Sequence, residues 1–280
     1  MNQQSLVSIA IATYNRAECI TKAIDSALNQ TYKNIEIIIV DGSPNDETKN
    51  VVQPYLSKFP VQYIHEKEVH TDYSKDRNEG GARNIGIRAS KGKYIAILDD
   101  DDVWVDEKKL EKQVQFLEAH PDYVVCGGGE IIIDEDGTKR TFIKKMFPEK
   151  DEDIRKAVFT SGAFVHSALV YRKDAWEKVG GYNEQFRFGV DGELYLRLGK
   201  LGKLYNFPEY FLSFVRGPQN ESGRVRYLRR NARNVIELIR RYGKEYPVSK
   251  KGVLIAWTRY FSSFLPSSLR DFLRSMFWKS

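Results

Sequence analysis

The chain has 280 residues, 41% hydrophobic and 12% aromatic, enough to bury a substantial core and too apolar for a disordered chain. Its two cysteines, Cys19 and Cys126, stand far apart in apolar contexts, which argues against a disulfide framework and for a reducing compartment. The net charge of +6 hides an asymmetry: residues 216–280 carry 15 Lys+Arg against 4 Asp+Glu, or +11, and the preceding 215 carry 29 against 34, or −5. A basic end of this kind suggests an anionic partner, either nucleic acid or a membrane surface.

The start, MNQQSLVSIAIATYNR, has no basic region ahead of its short apolar run and reads as a first strand at 7–13, not a signal peptide. AECITKAIDSALNQ (17–30) places Ile20, Ala23, Ile24, Ala27 and Leu28 at helical spacing, and IEIIIVD (35–41) is a second strand. DETKNVVQPYLSKF predicts a helix broken at Pro54. VQYIHE (61–66) is a third strand, GARNIGIRAS (81–90) a helix and KYIAILD (93–99) a fourth strand. DEKKLEKQVQFLEAH (106–120) is an amphipathic helix closed by Pro121, and YVVCGGGEIIID a strand interrupted by glycine. Strands apolar throughout and separated by helices predict a doubly wound, mostly parallel α/β sheet covered on both faces.

From about residue 135 the pattern becomes irregular, with a charged stretch to Arg155. A helix over 191–202, an extended segment over 203–216 and a basic helix over about 224–243 follow. In PSSLRDFLRSMFWKS, Leu269, Phe272, Leu273, Met276 and Phe277 fall at helical spacing, and the preceding GVLIAWTRYFSSFL is similarly aromatic. The chain divides on this basis into residues 1–216 and a helical, basic and aromatic extension, 217–280. No stretch is long and apolar enough to span a bilayer. Basic residues beside aromatic helices predict reversible docking on an anionic membrane surface, against the alternative of helices packed on the preceding domain. Nucleic acid would satisfy the charge but not the aromatic faces.

In an open parallel sheet, ligands bind beyond the carboxyl ends of the strands. Three strands here end in polar residues: Thr13-Tyr14-Asn15-Arg16, Asp41-Gly42-Ser43, and Asp99 to Asp102. Turn and cap chemistry accounts for Ser43, Pro44 and Asn45 as well as any other reading does, and for one or two of the aspartates. It does not account for four. Adjacent carboxylates at a buried strand end need solvent or a cation. A hard divalent ion, Mg²⁺ or Mn²⁺, takes few protein carboxylates and completes its shell with water and phosphate oxygens. Neither GxGxxG nor GxxxxGK[ST] follows the first strand, and no His/Cys cluster suits zinc.

Three blocks, VSIAIATYNRAECITKAIDSALNQTYKNIEIIIVDGSPNDET, GGARNIGIRASKGKYIAILDDDD and VGGYNEQFRFGVDGELYLRL, together resemble glycosyltransferase family 2 over about residues 5–216. The resemblance implies a GT-A fold and inverting transfer from a nucleotide-diphosphate sugar. It implies that Thr13 and Tyr14 line the base pocket, that Asp41 hydrogen-bonds the base, and that Arg83 approaches the diphosphate. Asp99 then sits near the ribose and Asp101 on the metal, both being candidate metal ligands, and Asp191 is the catalytic base. The sequence departs from the family in two places. Val190 stands where the family often has Glu, and no His follows His166. The second departure leaves metal binding weaker, or resting on Asp101, diphosphate and water. The expected acceptor is a glycan or lipid-linked hydroxyl, and the expected place is the cytoplasmic face of the membrane. Phe164 and His166 are candidates to line the sugar side of the pocket, against an ordinary core role.

Two other functions fit parts of the sequence. A nucleotidyltransferase also uses strand-end carboxylates and a metal, but the glycine-rich phosphate loop is missing. A binding module for nucleic acid or carbohydrate leaves the aspartate run and Asp191 unexplained.

Overall fold

The computed structural model describes residues 4–68, 79–135, 140–159, 162–186, 189–216, 225–247 and 250–265. The first half alternates strands and helices: β1 (Val7–Thr13), α1 (Ala17–Leu28), β2 (Ile35–Asp41), α2 (Glu47–Leu56), β3 (Val61–His65), α3 (Glu79–Ala89) and β4 (Tyr94–Ile97). A short β5 (Asp102–Trp104) and α4 (Lys109–Ala119) lead to the long β6 (Tyr123–Glu135). Then come β7 (Arg140–Lys145), α5 (Asp151–Ala157), β8 (Val170–Arg172), α6 (Lys173–Lys178), α7 (Val190–Leu198) and β9 (Lys203–Arg216). Two helices follow, α8 (Val225–Tyr242) and α9 (Lys250–Ser262).

Among the described residues the strands form one sheet, ordered β3-β2-β1-β4-β8-β6-β9-β5, with β7 on β6. The first four strands are parallel, and β8 joins them antiparallel to β4. Beyond β8 the sheet is mixed, with β6 antiparallel to β8 and parallel to β9.

The continuous apolar runs follow from burial on both faces. Ile9 and Ile11 of β1, Ile37 and Ile39 of β2, and Tyr94 and Ala96 of β4 pack with α1 and α4 on one side. Their alternates, Ile38 and Val40, or Ile95 and Ile97, pack on the other side against α3 or against α7 and Tyr182. This is the period of two of a pleated strand with two apolar sides.

Two local expectations are corrected. Helix α2 runs through Pro54 without a break. Pro54 is exposed and third from the helix end, so it forfeits one hydrogen bond to solvent-facing backbone where little helix remains to be disturbed. The glycines of CGGGE do not interrupt the strand: they lie inside β6, where its pairing with β9 shifts register. A Cβ on Gly128 would lie 2.4 Å from a ring carbon of Phe211, so the packing of that buried ring over β6 requires glycine there.

The basic helix expected over about 224–243 is α8. It packs on the rest of the chain: Leu238 and Tyr246 are buried with the α7 side chains, Tyr246 donates to the Leu196 carbonyl at 2.6 Å, and Tyr242 donates to Glu193 at 2.5 Å. The amphipathic segment 267–277 lies outside the described residues.

Candidate active site

The parallel register carries the ends of β1, β2 and β4 to the same edge of the sheet. A cavity of about 460 Å³ opens there. Thr13, Tyr14 and Arg16 line it from the end of β1, Gly42 from the turn after β2, Arg83 from α3, and Asp99, Asp100 and Asp101 from the loop after β4. Sequence-expected residues from three separate regions thus share one crevice.

The four consecutive aspartates have four different surroundings. Asp99 accepts a 2.6 Å hydrogen bond from Arg83 Nη2. Burial would raise its pKa, but the Arg83 charge and hydrogen bonds outweigh burial and hold it at about 2. Arg16 Nη1 bridges Asp100 at 3.0 Å and Asp101 at 2.9 Å. Burial, opposed by Arg16, raises the Asp100 pKa to about 6 and also raises that of Asp101. Asp102 points from β5 into the interior, where burial and then the neighbouring Asp99 push its pKa well above the carboxylate range. Two guanidinium groups, and for Asp102 a shift toward the neutral acid, therefore reconcile four carboxyls at a strand end. Arg16 was legible only as part of a polar strand end; its position straight after TYN gives no sign of the pairing made 84 residues away.

Asp41 is fully buried. Its Oδ1 accepts from the Ser43 amide at 2.8 Å and the Ser43 hydroxyl at 2.5 Å, and its Oδ2 accepts from Tyr63 at 2.7 Å. Ser43 Oγ also accepts from the Asn15 amide at 2.8 Å, which ties the ends of β1 and β2 together. The turn role expected for Ser43 is therefore present, with Asp41 as its partner. Asp41 itself is not among the residues that line the cavity; its neighbour Gly42 is. Tyr63, whose place in the apolar run of β3 gives no sign of a site role, fixes the Asp41 carboxylate.

Behind the cavity lies a buried aromatic cluster. His166 Nδ1 is 2.6 Å from the Tyr195 hydroxyl and Nε2 is 3.2 Å from that of Tyr182. Burial, and then the Arg83 charge, lower the His166 pKa to about 4, so the ring is neutral at pH 7. Phe164 packs edge-on against Tyr195 at 5.2 Å. Both candidates for the sugar side are therefore part of the core.

Asp191 lies in the first turn of α7, after Gly189 at φ +65°. It does not line the cavity. Its charge acts on His166, Tyr182 and Tyr195, the same three side chains that Asp99 acts on, so the start of α7 and the aspartate loop both lie close to that cluster.

Among the described residues no three His, Cys, Asp or Glu side chains form a metal cage. Asp99 and Asp101 present hard carboxylate oxygens at the cavity. That donor set fits a Mg²⁺ or Mn²⁺ ion that takes one or two carboxylates and fills its shell from ligand phosphate and water.

The sequence model for Glycosyl transferase family 2 matches residues 8–180. An uncharacterized glycosyltransferase of Rickettsia felis is 34% identical over 206 residues, 71% of this chain, and the match spans only 32% of that relative's length. The UDP-Glc:alpha-D-GlcNAc-diphosphoundecaprenol beta-1,3-glucosyltransferase WfaP of Escherichia coli is 42% identical over 114 residues, 41% of this chain and 42% of WfaP. In fold, the mannosyltransferase PcManGT of Pyrobaculum calidifontis, solved with GDP-Man and Mn²⁺, superposes with a TM-score of 0.64 at 15% identity. That superposition covers 100% of this chain and 77% of PcManGT.

Proposed function

The chain belongs to glycosyl transferase family 2 and has the GT-A fold, and on that premise we propose that it moves a sugar from a nucleotide-diphosphate sugar to an acceptor hydroxyl with inversion at the anomeric carbon. The observation that carries the reading is the crevice at the strand ends, where Asp99 and Asp101 flank a buried Asp100 and are held by Arg83 and Arg16. Residues 1–216 are the proposed catalytic part, and 217–280 the proposed extension.

In this reading Thr13 and Tyr14 wall the base pocket, and Asp41 accepts one base N–H. Asp99, anchored by Arg83, receives the ribose. Arg83 and Arg16 place fixed positive charge where negative charge develops on the leaving diphosphate. Asp101, with Asp99, would hold Mg²⁺ or Mn²⁺. A divalent ion bound there supplies Lewis-acid stabilisation of the departing diphosphate. Asp191 takes the acceptor hydroxyl proton as that oxygen attacks the anomeric carbon. Val190 offers it no acidic neighbour.

PcManGT's complex with GDP-Man and Mn²⁺ supports this donor and metal class. The WfaP name supports a lipid-linked glycan acceptor. With such an acceptor and a +11 end, the extension meets an anionic membrane surface on the cytoplasmic side, and nucleic acid is not a partner. No helix among the described residues is long and apolar enough to cross a membrane.

A thermal-shift screen of nucleotides and nucleotide sugars, with and without Mn²⁺, tests the donor assignment. A native-state ligand raises the melting temperature by mass action. At least one nucleotide sugar should raise it, and raise it further with Mn²⁺. A panel in which none does contradicts the reading.

A further inference from the structure

Helix α9 packs on α8 through its small residues. Ala256, Ser262 and Ser263 are buried, and Arg229 of α8 donates to the Ser263 carbonyl at 3.1 Å. The opposite stripe is apolar and open: Leu254, Trp257, Phe261 and Phe264 are 64%, 42%, 61% and 54% exposed. The spacing of three and four residues puts Leu254, Trp257 and Phe261 on one face of α9, and Phe264 follows in the turn after the helix. The rings of Trp257 and Phe261 stack with centroids 5.7 Å apart, and the Arg229 guanidinium lies 3.8 Å over the Phe264 ring. Four large apolar side chains side by side in water are an unusual surface for a soluble face, and a contiguous patch of this kind marks a contact.

We propose that this outward face of α9 docks on the surface of an anionic lipid bilayer, with Leu254, Trp257, Phe261 and Phe264 in the interface and Arg229 at the headgroups. The inference rests on the membrane reading given above and names the face that serves it. Charge selects the occupant. Residues 246–265 carry three basic residues and no acidic one, within an end of charge +11. A second copy of the same face would bring like charges together, whereas an anionic leaflet attracts them. Trp and Phe on one side of a helix with cations beside them match the lipid interface, where an amphipathic ring has one side apolar and the other wet. Leu254, Trp257 and Phe261 are already exposed, so no rearrangement of the core is needed to seat them.

The test is vesicle flotation of the full chain, without donor or acceptor, on phosphatidylcholine vesicles with and without phosphatidylglycerol. The Leu254→Glu/Phe261→Glu variant is run beside it. Both side chains are exposed, so the variant should keep the wild-type melting temperature. The wild type should float with phosphatidylglycerol vesicles at low salt, less at high salt and little with phosphatidylcholine alone. The variant should bind at least ~tenfold more weakly, because two apolar groups no longer leave water. Wild-type protein that stays in the aqueous fraction overturns the proposal. So does a variant that floats equally well, or a vesicle-free dimer that the variant breaks. None of these outcomes touches the donor assignment, which nucleotide-sugar binding reads separately.

Discussion

Asp101 shares one guanidinium with a buried neighbour, and that arrangement sets what its removal does. Arg16 keeps Asp100 when Asp101 is lost, and one repelling carboxylate disappears. Asp101→Ala should therefore change stability by less than about 1 kcal/mol, yet abolish sugar transfer, and EDTA should act on the wild type in the same way. A melt and a transfer assay on one preparation read both effects; full activity in either case removes the metal from the mechanism. A different buried charge gives a test independent of function. Lys109 is fully buried, with Gln113 Oε1 at 2.8 Å and the Trp104 ring at 4.0 Å as its neighbours. Burial lowers its pKa to about 7. The folded chain thus releases this proton near pH 7, while the unfolded chain keeps it until about 10.4. Between these values the unfolded state binds more protons, so this lysine's penalty is full below pH 7 and fades as pH rises. The stability of Lys109→Met relative to wild type should therefore fall between pH 7 and 10, by an amount on the order of a few kcal/mol. Urea melts across that range check it, and parallel curves would contradict it. Neither pairing could be read from the chain. The aspartate run announced a cation, but that Arg16 and Arg83 supply part of it depends on contacts made only when distant strand ends meet.

Helix α7 shows how an element carries a candidate residue. Gly189 adopts a left-handed φ that a side chain disfavours, and a Cβ there would approach Asn234 of α8 to 3.1 Å. Glu193, one turn on, is gripped by Arg197 and by Tyr242 of α8. The first turn bearing Asp191 is thereby fixed from two sides. Asp191→Asn keeps the shape but cannot take a proton, so transfer should fall on the order of a hundredfold or more, with nucleotide-sugar binding retained. Wild-type transfer by this variant would remove Asp191 as the base. The elements of the first half were legible because each strand is apolar on both faces and each helix shows its stripe. The short ones were not. Strand β8 has three residues and exists because β4 and β6, about 75 and 45 residues earlier, pair with it. Strand β5 likewise depends on β9, and its first residue is Asp102, which reads as a loop acid until the strand buries it.

At the scale of the whole molecule, the charge split of +11 against −5 has a structural counterpart. The acidic part holds the sheet and the crevice, and the basic part adds α8, which is fastened to α7, and α9, which is fastened to α8. If the extension meets a bilayer as proposed, this connection carries the crevice to the surface where a lipid-linked acceptor resides. Sugar transfer at the crevice is tested most directly by product identity. The full chain is incubated with Mn²⁺ and each of a panel of UDP-, GDP- and dTDP-sugars, and in parallel with nucleoside triphosphates and sugar phosphates. Nucleoside diphosphate should accumulate with at least one nucleotide sugar, and no pyrophosphate should form from the triphosphates. Pyrophosphate release with no nucleoside diphosphate from any nucleotide sugar would contradict sugar transfer and identify nucleotidyl transfer instead.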